Sequence, residues 1–222
     1  MAESSTPPSA QGLSRETEEA GFYHEAGLNA NWSGSRLAIG GLAFLYGAFV
    51  FSYFYLRSIN SNGRWHGSGF HPPSAGYGVL IMLLVLVSAG VQYAVLQRIK
   101  AGHKLDWQIG GAVALLFGLA AVGLQIVELI YLPFYPASSG FSSVFVGFYA
   151  VFIAILLALM IWLEALLARS RFIPGIAFVE QPPTYAEAFT VQRFQANLSS
   201  FTALWNFTAV MAVLFWVLFY VI

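Results

Sequence analysis

The chain has 222 residues, of which 58% are hydrophobic, 17% aromatic and only 9% charged, with a mean hydropathy of +0.69. Soluble domains carry about a quarter charged residues, so there is too little charge here to cover a water-facing globule, and the solvent must be lipid. A formal net charge of zero argues against nucleic acid as a partner, and the absence of cysteine excludes disulfides, thiolate metal sites and thiol nucleophiles.

Residues 1–35 are rich in Ser, Pro, Gly and acids (Glu16, Glu18, Glu19, Glu25). They read as a cytoplasmic N-terminal arm, extended and partly disordered, with a short helix around Ser14–Ala20. Phe22, Tyr23 and Trp32 give this arm the means to drape over partner chains. It holds no apolar stretch of the signal-peptide kind, so the first membrane span is expected to serve as the insertion signal. Residues 36–222 read as an all-α, polytopic membrane domain, a bundle of five transmembrane helices spanning about 37–56, 78–97, 109–132, 141–168 and 200–222.

The first span closes on Phe51, Tyr53, Phe54 and Tyr55, which suit an interfacial aromatic belt. A Gly/Ser/Asn/Pro loop, Ser58–Gly76, follows and holds His66 and His71. The second span carries only Ser88 and Gln92 as polar interior residues, and Arg98, Lys100, His103 and Lys104 form a short basic turn after it.

The third span organises the rest. Its Leu, Ile, Val and Phe side chains supply about −5 kcal/mol of insertion free energy, against at most about +3 kcal/mol for one acidic side chain at the bilayer centre. It therefore inserts with Glu128 included. Gly110, Ala114 and Gly118 recur every four residues and leave one helix face nearly bare, which lets another helix approach closely. Pro133 and Pro136 end the span, and Ala137–Gly140 turns the chain back. The fourth span is long enough to tilt or project. Arg169 to Asn197 reads as a polar connection with Pro174, Pro182 and Pro183, and the fifth span runs to the last residue.

Orientation follows from Lys and Arg alone. Arg15, Arg36, Arg98, Lys100, Lys104, Arg169, Arg171 and Arg193 fall on one side of such a bundle, and only Arg57 and Arg64 on the other. The N-terminus is expected in the cytoplasm and the C-terminus outside.

His24, His66, His71 and His103 all lie in the arm or in loops. No span therefore offers the axial ligands of a b-type haem or the several histidines of a haem–copper centre. His66 and His71 lack a third metal ligand. Of the two acids within spans, Glu164 lies near the cytoplasmic end, where a carboxylate is inexpensive. Glu128 sits one turn after Gln125 on the same face, and such a buried pair demands polar partners. Ser200, Thr202 and Asn206 of the fifth span are the expected ones. The pair suits either a proton-loading or lipid-binding site or an interhelical hydrogen bond.

Several stretches resemble the subunit III family of haem–copper oxidases. Lys100-Ala-Gly-His103 followed by LLFGLAAVGLQIVEL is similar to the family's basic turn and Gly-rich helix ending in Gln-x-x-Glu, with Gln125 and Glu128 as that pair. Phe51-Ser-Tyr-Phe-Tyr-Leu-Arg57 is similar to the close of an earlier helix, Phe145-Val-Gly-Phe148 to the Thr-Gly-Phe-His helix, and LWNFTAVMAVLFWVLFYVI to the terminal helix. The five-span form resembles the shorter bacterial type. Departures fall where the family carries function: its first-helix glutamate aligns with Leu42, its two histidines with Tyr149 and Phe152, and the His and Asp opening its last helix with positions near Ser199 and Thr202.

The resemblance implies an accessory, non-redox component of a bacterial terminal oxidase that uses cytochrome c or quinol, in the inner membrane. The chain would pack beside catalytic subunit I, bind phospholipids and support proton-coupled oxygen reduction. Haem and copper would reside in partner subunits, with no catalytic, cofactor-binding or metal-ligating residue in this chain. A structural subunit of another respiratory complex, or a small transporter or channel component, are the alternatives. The last would show a polar path or an inverted repeat.

Overall fold

The computed structural model describes residues 10–60, 62–67, 69–101, 103–173 and 185–222. They form five helices and, among the described residues, no strand: α1 (Ala10–Ile59), α2 (Ala75–Lys100), α3 (Lys104–Ile130), α4 (Gly140–Phe172) and α5 (Tyr185–Tyr220). All five contain a stretch long and apolar enough to cross a membrane, which makes this a multi-pass membrane protein. α2 packs on α3 and α5, α3 also packs on α4, and α1 lies across α4 and α5. α1, α3 and α5 run in one direction and α2 and α4 in the other. The end at which α1, α3 and α5 finish is called distal here.

Local sequence explains most boundaries. Ser139 caps α4: its Oγ accepts from the Ser142 amide at 3.1 Å, and Ser142 Oγ accepts from the Ser139 amide at 2.9 Å, a reciprocal capping box. α3 stops three residues before Pro133, as helices commonly do ahead of a proline. At the opposite end, Lys104 Nζ donates to the Ile173 carbonyl at 3.2 Å and ties the start of α3 to the close of α4.

Two helices are longer than the sequence leads one to expect. α1 begins at Ala10, so residues 10–35 continue the first span as helix where an extended arm with a short helix is expected. Between Pro8 and Pro72 no proline removes a backbone donor, and the helix is held along its way. Ser200 Oγ of α5 donates to the Asn31 carbonyl at 3.2 Å, and the Arg36 guanidinium sits 3.0 Å above the Trp32 ring. Residues 1–9 lie outside the described residues. α5 begins at Tyr185, inside the expected polar connection, because Val191, Phe194 and Leu198 are spaced to present one apolar face and all three are buried.

The core is aromatic toward the distal end. Phe148 stacks on Phe215 with ring centroids 3.8 Å apart, and Tyr46 packs among Phe148, Phe152 and Phe215. The loop after α1 folds back onto this cluster. Trp65 meets Tyr53 edge-on at 5.1 Å, its carbonyl accepts from the Phe141 amide at 3.2 Å, and it lies against Gly140, where a Cβ would come within 3.1 Å of the indole. His66 stacks on Phe70 at 4.4 Å. This packing fixes the distal ends of α1, α4 and α5 relative to one another, and so positions the residues described next.

Candidate functional site at the distal end of the bundle

Most polar side chains inside the bundle simply hold helices together. Ser88 Oγ donates to the Ala114 carbonyl at 2.7 Å, linking α2 to α3. Gln92 Nε2 donates to Thr202 Oγ1 at 3.4 Å, and Thr202 donates to the Leu198 carbonyl at 2.9 Å. The first two are the modest interhelical bonds that membrane bundles commonly contain, and the Thr202–Leu198 bond lies within α5.

Glu128 is different. It stands in the last turn of α3, only 3% exposed, and makes no ion pair among the described residues. Tyr149, in the third turn of α4, donates to Oε2 at 2.9 Å, and the hydroxyl of Tyr220, the last residue of α5, lies 2.6 Å from Oε1. The two tyrosine hydroxyls are also in hydrogen-bond contact with each other. Phe145 stacks on the Tyr149 ring at 4.3 Å, and Gly78 of α2 makes room for the Tyr220 ring, since a Cβ there would overlap it. Four helices thus converge on one carboxyl group.

Space lies on both sides of this cluster. Toward the bundle interior is a cavity of about 20 Å³ lined in part by Ile81, Gln125, Tyr149, Trp216 and Tyr220. Gln125 Oε1 and Trp216 Nε1 are both buried at its wall without a hydrogen-bond partner among the described residues. Toward the distal surface is a cleft of about 220 Å³ formed by Pro72, Pro73, Tyr77, Glu128, Tyr131 and Pro133. Glu128 is the floor of that cleft and the outer wall of the polar cluster.

No protein-family model and no curated protein matches the chain. The likeness to subunit III therefore stands on the quoted residues alone.

Gln125 and Glu128 line the same region, but no hydrogen bond joins them. Ser200 and Thr202, expected as partners from the opening of the fifth span, are bonded elsewhere. Ser200 bonds to Asn31 of α1 and Thr202 to Gln92 and Leu198, far from Glu128. The reason is topological: α3 and α5 run in the same direction on either side of α2, so the close of α3 lies at the same end of the bundle as the close of α5, and the Tyr220 side chain reaches across to Glu128. Tyr149 and Tyr220 were concealed in the sequence because tyrosines near span ends suit an interfacial belt equally well.

Gly110, Ala114 and Gly118 face two neighbours. A Cβ on Gly110 would overlap Val95 of α2, Ala114 is fully buried against Ser88 of α2, and a Cβ on Gly118 would overlap Met160 of α4. Glu164 is exposed on the flank of α4. Among the described residues no three His, Asp or Glu side chains gather as metal ligands would. What the distal cluster can do chemically is hold and exchange a proton, or anchor a polar group entering the cleft.

Proposed function

We propose that this chain is a membrane-embedded accessory subunit of a bacterial haem–copper terminal oxidase, of the subunit III kind. It would buttress the catalytic subunit and carry none of the redox centres. The observation that carries the reading is the free face of α1. Only 11% of its apolar window is buried against the rest of the chain, against 33–50% for the other four helices.

That face has a pattern. Leu37, Gly41, Phe44, Ala48, Phe51 and Tyr55 are all exposed and recur at alternating spacings of four and three. This is the seam spacing of a helix that takes knobs from a partner, with small residues alternating with large ones. Lipid alone gives no reason for Gly40, Gly41 and Gly47 in mid-helix, where each costs roughly 1 kcal/mol of helix propensity. A second transmembrane helix does. The distribution of Lys and Arg supports a cytoplasmic N-terminus, which makes the distal end the outer one.

Affinity purification of the tagged chain from its host membrane in mild detergent, followed by native electrophoresis, tests the reading. Co-migration with haem and with oxygen-consuming activity is expected. Migration as a free homo-oligomer supports a transporter or channel component instead. Co-migration with haem but without oxygen consumption points to another respiratory complex.

A further inference from the structure

We propose that Glu128, Tyr149 and Tyr220 form a reversible proton-binding site entered from the distal cleft. Three contacts close a ring: Tyr149 with Oε2, Tyr220 with Oε1, and the two hydroxyls with each other. Each contact needs one hydrogen. The two phenols supply two and an ionised carboxylate supplies none, so an ionised Glu128 leaves one contact as bare oxygen against oxygen.

A proton on Glu128 completes the ring. Tyr149 donates to Oε2, the carboxyl O–H donates to Tyr220, and Tyr220 donates to Tyr149. Each of the three side chains then donates once and accepts once, Glu128 donating through Oε1 and accepting at Oε2. Release is equally simple: the carboxyl O–H bond breaks, its proton passes to water in the cleft, and Tyr220 turns its own hydrogen from Tyr149 to the vacated Oε1. The negative charge stays on Glu128 and nothing is oxidised or reduced.

The surroundings fit this use. The groups that face Glu128 are Ser74 and Tyr77 at the start of α2, Tyr131 at the end of α3, Tyr149 of α4 and Tyr220 of α5. Among the described residues no other charged side chain lines the cleft or the inner cavity, so no cation competes with a proton for the carboxyl. The inner cavity, about 20 Å³, has room for one water. Trp216 Nε1–H is available there to donate and Gln125 Oε1 to accept, beside both tyrosines. The site does not depend on which complex the chain joins.

Infrared spectroscopy of the full chain in lipid nanodiscs, with ¹³C-labelled glutamate for assignment, tests the proposal. At neutral pH the wild type should show a hydrogen-bonded carboxylic acid C=O band that shifts in D2O and is lost in Glu128→Gln. Tyr220→Phe keeps Glu128 but opens the ring, and should move that band toward a less hydrogen-bonded position; it carries the same readout if the Gln variant does not fold. A carboxylate band in place of the acid band at neutral pH overturns the hydrogen inventory. An acid band unmoved after prolonged exposure of the folded chain to D2O overturns the access through the cleft.

Discussion

Tyr220 Oη lies 2.6 Å from Glu128 Oε1 and joins the last turn of α5 to the last turn of α3. That side-chain bond links two helices that run in the same direction and closes the distal side of the bundle. Tyr220→Phe keeps the ring over Gly78 and removes only the hydroxyl. The hydroxyl takes part in two contacts, with Glu128 and Tyr149, so unfolding titrations in detergent should show a loss of about 1–2 kcal/mol. Tyr220→Ala also empties the space above Gly78 and should cost roughly 3 kcal/mol.

Close helix approach makes a second prediction. Gly118→Leu drives a side chain into Met160, and Gly110→Leu drives one into Val95. Each should destabilise the bundle by about 1–3 kcal/mol through overpacking. Gly123, on the same helix, meets nothing within 4 Å. Gly123→Leu should be neutral or stabilising by up to about 1 kcal/mol, since it improves helix propensity. Equal losses at all three positions would contradict the packing described for α3.

The distal loop should respond to acid. Burial of the His66 ring, and then the charge of Arg57, hold His66 below its ordinary value of about 6.5. A base whose folded value is depressed binds fewer protons in the folded state than in the unfolded one. Its contribution to loop order is complete above about pH 6.5 and is lost as pH falls through the folded-state value. The protection of the Phe141 amide, which donates to the Trp65 carbonyl, should therefore fall on acidification, measured against the intrinsic exchange rate at each pH. His66→Phe keeps the stack on Phe70 and should flatten that dependence.

The start of α4 rests on one hydroxyl pair. Ser139→Ala removes the acceptor for the Ser142 amide and should cost about 1 kcal/mol. The loss should appear first as faster exchange in the opening turn of α4, two turns before Tyr149.

The five spans were legible because hydrophobic runs of membrane length declare themselves, as in α2 and α3, whose structured bounds lie within a few residues of the expected ones. The starts of α1 and α5 were not. Residues 185–199 mix Arg193 and two glutamines with Val191, Phe194 and Leu198, and their helicity comes from one apolar face packing on the core, which average hydropathy hides. Residues 10–35 hide theirs among glycines and acids. At the site, Glu128 was legible as an acid that a span must bury. Its partners were not, because they follow from which helix ends meet. Depth counted from the wrong end of α5 leads to Ser200 and Thr202, whereas the shared direction of α3 and α5 puts Tyr220 beside Glu128.

The most direct test of the account is site-specific photocrosslinking from the free face of α1 in native membranes. A photoreactive residue at Phe44, 82% exposed in the middle of the seam, should yield one dominant adduct whose partner peptide derives from a haem-bearing oxidase subunit. The same probe at Ile161, on the outward flank of α4 and 66% exposed, should give much less of it. Adducts from Phe44 only to lipid, or only to a second copy of this chain, would contradict the assignment.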